Sequence, residues 1–111
     1  MWNDNEKKIL EIEDNLYLEK NNYPVKCPVC GKNDGHLFYY EHQSSLNKGG
    51  KWIWCSSCFK CSHAYASIPE WWRNPEFIDS EKLAAIPDYL ESNKDKIDSW
   101  INELMQSSSA K

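Results

Sequence analysis

Two Cys-x-x-Cys pairs constrain this chain more than any other feature. "CPVC" puts Cys27 and Cys30 in one tight turn, and "CSSC" puts Cys55 and Cys58 in another, with a hairpin-sized insert at residues 31–54 between them. Two thiolates from each of two turns can complete a tetrahedron at about 2.3 Å per Zn–S bond. The spacing therefore predicts one structural Zn²⁺ held by Cys27, Cys30, Cys55 and Cys58. Pro28 stiffens the first turn, and Gly31 lets the backbone fold its N–H groups towards sulfur. The second turn carries Phe59 where the first has glycine, which leaves its pair open to a competitor. Cys61 makes a further Cys-x-x-Cys with Cys58. Cys55 is favoured because "KWIWC" delivers it straight from a strand into a turn, and Cys61 is then a spare thiol packed as a small apolar group. His63 would replace a thiolate only if one of the four were absent. Iron is the other metal that four thiolates suit.

Cysteine usage also bears on compartment. Five cysteines, four of them in close pairs, suit metal ligation better than a disulfide framework. "MWNDNEKKIL" has charges of both signs and no apolar h-region, so no secretory signal is expected. No apolar run approaches the ~20 residues of a membrane span. These features place the protein in a reducing cytoplasm, away from membranes.

The remaining pattern predicts a single small α+β domain over residues 1–111. Residues 1–22 read as a helix capped by Asn3 or Asp4, with Ile9, Ile12 and Leu16 recurring on one face. Residues 23–68 read as a three-stranded antiparallel sheet. "HLFYYEH" and "KWIWC" are its main strands, "HAYASI" a short third, and Gly49-Gly50 a turn with positive φ. Trp52 and Trp54 then share one face, with Ile53 on the other. Residues 69–86 form a linker with a short helix from Ser80. Residues 87–106 form a C-terminal helix, with Pro87 in its first turn and Leu90, Ile97, Trp100, Ile101 and Leu104 as its apolar stripe.

Residues 25–68 resemble a zinc ribbon, the rubredoxin-like arrangement of two metal-binding knuckles and an antiparallel sheet. The resemblance fixes fold rather than function, since such ribbons serve transcription factors, ribosomal proteins, enzymes and protein-binding modules alike. "GGKWIWCSSC" followed by "IPEWW" also resembles small zinc-ribbon proteins of bacterial toxin–immunity loci. That resemblance implies an acidic immunity protein that plugs the active site of a cognate toxin domain.

Charge patterning points the same way. Residues 1–20 carry −3, residues 21–68 carry +3 and residues 69–111 carry −4, for a net −4. Four thiolates and one Zn²⁺ would lower the middle to +1 and the whole to −6. Such a chain should repel nucleic acid and attract a basic protein. The acids expected to face that partner are Glu11, Glu13, Asp14, Glu91, Asp95 and Asp98, with Trp71 and Trp72 as apolar anchors beside Arg73. The alternative is a nucleic-acid-binding ribbon. There Trp52, Trp54, Tyr39 and Tyr40 would stack bases while Lys48, Lys51 and Lys60 meet phosphates.

No enzymatic activity is expected. A catalytic zinc keeps an open position, which four thiolates close. No serine, histidine and acid stand in a nucleophile pattern along the sequence, and no glycine-rich phosphate loop is present. Cys61 and His63 sit at i and i+2 on a strand, a weak candidate for a thiolate pair.

Overall fold

A computed structural model describes residues 2, 3, 7–14, 23–42 and 47–109. The protein is a small α+β fold: a three-stranded antiparallel sheet in the order β1-β2-β3, with helical elements on either side of it in sequence. The strands are β1 (Gly35–Glu41), β2 (Lys48–Cys55) and β3 (Cys61–Ser67). The helical elements are a 3₁₀ turn at Lys7–Leu10 leading into α1 (Glu11–Asp14), a second 3₁₀ turn at Ser80–Lys82, α2 (Asp88–Ser92) and α3 (Lys94–Ser109).

β1 and β2 are rich in aromatic and branched residues, which favour a pleated, half-buried surface. Their register sets His36 opposite Trp54, Leu37 opposite Ile53 and Phe38 opposite Trp52. Strand alternation then gives the sheet two different faces. One face holds His36, Phe38, Trp52 and Trp54, and the C-terminal half of the chain lies over it. Trp72 meets Phe38 edge-on at 5.5 Å, and Leu90, Ile97 and Ile101 join the same buried cluster. The other face holds Leu37, Tyr39 and Ile53. Ile9 and Ile12 pack into the cluster there, and Glu13 accepts from Tyr39 Oη at 2.6 Å and from Lys51 Nζ at 2.8 Å. The two ends of the chain thus cover opposite faces of its middle.

Two local expectations are corrected. Gly49 and Gly50 lie inside β2 rather than in a turn, and positive φ among the described residues belongs to Gly31, Asn47 and Phe59. The strand needs both glycines for close approach. A Cβ on Gly49 would fall 1.8 Å from the Tyr40 carbonyl oxygen, and one on Gly50 would meet the Trp52 ring at 2.7 Å. Gly49→Ala is accordingly expected to cost about 1–3 kcal/mol, because backbone cannot yield as a side-chain tip can. Chemical denaturation of the metal-loaded protein measures this, and an unchanged midpoint would refute the tight β1–β2 approach.

Asn3 caps no helix. Its N–H donates to the Phe59 carbonyl at 2.8 Å, and its carbonyl accepts from Cys61 N at 2.9 Å, which ties the N-terminal strand segment to the second cysteine turn. The rest of the expected first helix, including Leu16, lies outside the described residues. The C-terminal helix is divided at Asn93, whose side chain donates to the Tyr89 carbonyl at 3.0 Å and competes with the helical ladder. Leu90, Ile97, Ile101 and Leu104 are buried as the stripe requires, while Trp100 is half-buried. No helix among the described residues is long and apolar enough to cross a membrane.

Candidate metal centre

The sulfurs of Cys27, Cys30, Cys55 and Cys58 lie within 4.8 Å of one another. Cys27 and Cys58 sulfurs are 3.8 Å apart, and those of Cys30 and Cys55 are 3.6 Å apart. A tetrahedron with bonds of about 2.3 Å has edges of about 3.8 Å, so the four donors already have the spacing of a zinc-thiolate site. Cys61 is 1% exposed at the start of β3 and is not part of the cluster.

The two turns are built alike. Cys27 N donates to the Lys32 carbonyl at 2.8 Å, and Cys55 N to the Lys60 carbonyl at 3.1 Å. Gly31 N donates to the Cys27 carbonyl at 2.9 Å, and Phe59 N to the Cys55 carbonyl at 3.1 Å. Val29 N reaches Cys27 Sγ at 3.3 Å, and Ser57 N reaches Cys55 Sγ at 3.4 Å. The last residue of each turn is left-handed: Gly31 at φ 82 and Phe59 at φ 60. Phe59 therefore adopts the conformation for which glycine is favoured, and its ring packs edge-on against Trp2 at 5.3 Å. The non-glycine residue that left the second pair open in the sequence is accommodated by an unusual backbone angle.

The ligands differ in environment. Cys30 is exposed, and the backbone N–H of Lys32 beside its sulfur holds its thiol below the ordinary range. Burial pushes the Cys55 thiol up, and burial likewise raises Cys58. Backbone N–H groups at each sulfur compensate thiolate charge, which suits a metal-bound state. With four sulfur corners the site has no ligand position left for a substrate.

Around the second turn is a polar network that the sequence did not announce. His36 is 2% exposed, with Nδ1 2.9 Å from Asp98 Oδ1 and Nε2 2.8 Å from Ser56 Oγ. Ser56 and His36 with Asp98 form the kind of chain that sequence inspection did not find. The Ser56 hydroxyl also donates to Glu91 Oε1 at 2.6 Å, so the serine is shared between the imidazole and a carboxylate. Trp54 stacks on the imidazole at 5.1 Å and donates its indole N–H to the same Glu91 oxygen at 3.0 Å. Lys94 Nζ completes the set on Glu91 Oε2 at 3.0 Å. Ser57 also donates to Asp34, fastening the turn to the start of β1. The arrangement locks the second cysteine turn to α2 and α3.

The network also places the residues expected to face a partner. Asp98 is buried on His36, and Glu91, partly exposed, is engaged by Trp54, Ser56 and Lys94. Trp72 is 3% exposed, boxed by Phe38 and Tyr39, and belongs to the core; Trp71 is half-buried and edge-on to Tyr39 at 6.4 Å. Asp95 and Glu11 remain exposed, Glu13 is committed to Tyr39 and Lys51, and the side chain of Asp14 lies outside the described set. Trp52, Trp54 and Tyr39 are likewise buried, and Lys51 is ion-paired, which removes them from base stacking and phosphate contact. Tyr40 is half-buried, Lys48 donates to Ser67 Oγ at 3.1 Å, and Lys60 forms a bridge to Asn3.

Burial raises the Asp98 carboxyl above its ordinary range, against the opposing pull of His36. The folded state thus holds a proton there at a pH where the unfolded chain has released it. A stability cost is present above the folded-state pKa and is relieved as pH falls through it. Asp98→Asn should keep the bond to His36 and abolish this pH dependence. Asp98→Ala, by leaving His36 Nδ1 without its partner, should cost about 1–3 kcal/mol. Unfolding of the zinc-loaded variants at several pH values checks both; equal behaviour of the two would discard the buried pair.

No family model, curated protein or solved structure matches the chain.

Proposed function

We propose that this chain is a non-catalytic zinc-ribbon module that binds a basic protein, and that the partner is a bacterial toxin domain it neutralises. The single observation carrying the metal reading is the four-sulfur cluster with zinc-thiolate spacing, presented by two matching turns. The chain's own residues would hold the ion: Cys27 and Cys30 from one turn, Cys55 and Cys58 from the other. A bound Zn²⁺ supplies cross-linking rather than catalysis, since every corner is sulfur. The partner reading is supported by the acidic flanks, by the exposed carboxylates that the core does not use, and by the sequence resemblance to immunity proteins. The nucleic-acid alternative loses most of its candidate stacking residues to the core.

The test is capture and neutralisation. Zinc-loaded protein should retain one basic protein at low ionic strength, release more of it as salt rises, and restore growth when co-expressed with that protein. Recovery of nucleic acid with a steep salt slope, in place of a protein, would reject the proposal.

A further inference from the structure

A shallow groove of about 410 Å³ lies on the exposed side of α3, lined by Phe77, Asp95, Lys96, Ser99, Trp100 and Glu103. Its floor is aromatic. Trp100 donates its indole N–H to the Arg73 carbonyl at 2.8 Å, and Phe77 stands edge-on to the ring at 6.3 Å and 86°. The indole is therefore held in place before anything binds. Its rim is charged. Asp95, Ser99 and Glu103 follow one another at i, i+4 and i+8 on exposed turns of α3. Neither Asp95 nor Glu103 forms an ion pair with a described residue. Lys96 stands on the rim and Arg73 nearby, yet neither covers the ring: among the described residues the cation over an aromatic face is Lys82 on Tyr89.

We propose that this groove receives an arginine side chain from the partner protein. The inference rests on the protein-binding reading and names the chemistry that the surface recognises. A guanidinium is planar, so it can lie on the Trp100 face while its in-plane N–H groups reach carboxylates on either side. Asp95 and Glu103 line the groove with Trp100, two turns apart on the same helical stripe, and outnumber Lys96, so the rim favours a cation. An ammonium is a point charge and would use one carboxylate at a time. A fixed tryptophan ringed by polar groups is also the usual make-up of an interface anchor.

The experiment is an NMR titration of ¹⁵N-labelled, zinc-loaded full chain with the blocked peptide acetyl-Gly-Arg-Gly-amide. Matched peptides carry citrulline or lysine in place of arginine. The arginine peptide should shift the Trp100 indole N–H and the Ser99 and Glu103 amides, saturably. Citrulline should leave them unmoved, and lysine should bind at least threefold more weakly. Asp95→Asn with Glu103→Gln keeps the ring and the fold and should weaken the arginine peptide at least fivefold. Trp100→Ala should abolish the shifts, with the remaining spectrum reporting whether the fold persists. Absence of shifts, equal shifts with citrulline or lysine, or undiminished binding to the Asp95→Asn/Glu103→Gln variant would each overturn the proposal. The titration reads the groove alone, so its failure is separate from failure of the capture experiment.

Discussion

Cys55→Ser is expected to lose the metal and with it the central sheet, while Cys61→Ser keeps both. Cys55 supplies one corner of the sulfur cluster from the end of β2, whereas Cys61 is buried outside it. Structural zinc binds with an apparent free energy of about 10–16 kcal/mol at neutral pH, comparable with or above the about 5–15 kcal/mol stability of a whole small domain. Loss of one thiolate should therefore show as a change of state rather than a small shift in midpoint. Chelation of the unmodified protein should have the same result. Elemental analysis gives the zinc content, and circular dichroism with and without chelator gives the sheet. A Cys55→Ser protein retaining one zinc and the full β signal would mean that another group completes the site.

Trp54→Ala should be the most damaging single change outside the metal ligands, at about 3–5 kcal/mol. Trp54 is fully buried, stacks on His36 and donates to Glu91. Trp54→Phe keeps an aromatic ring in the space and loses the indole N–H, so about 1–2 kcal/mol is expected. Glu91 retains Ser56 and Lys94 in that variant, which limits the loss. Urea unfolding of both zinc-loaded variants separates volume from hydrogen bonding. Equal costs would place the energy in the indole N–H, and a cost under 1 kcal/mol for alanine would contradict the burial.

The cysteine turns were legible in the sequence because their chemistry is local: two thiolates three residues apart need little beyond a tight turn. The strands were legible because side-chain alternation is local as well. What lies across the fold was not. Asp98 looks like a solvated helix acid until β1 brings His36 to it, 62 residues away in sequence. Glu91 likewise gains its role from Trp54, 37 residues distant. Trp71 and Trp72 are adjacent and alike in sequence, yet the chain's course round the β1 edge buries one and leaves the other half-buried. Gly49-Gly50 has the composition of a turn, and only the closeness of the Tyr40 backbone and the Trp52 ring explains two glycines within a strand.

The covering of opposite sheet faces by opposite ends of the chain also sets an order in time. During synthesis the residues of the first cysteine turn, β1, β2 and the second turn leave the ribosome before α3 exists. The face carrying Phe38, Trp52 and Trp54 then waits for the segment that ends near Ile101. At about 5–20 residues per second that wait is on the order of a few seconds. Metal captured early would hold the hairpin in register during the interval, but would leave its tryptophan face bare. The nascent chain is thus most prone to aggregation after its metal centre is complete and before α3 arrives.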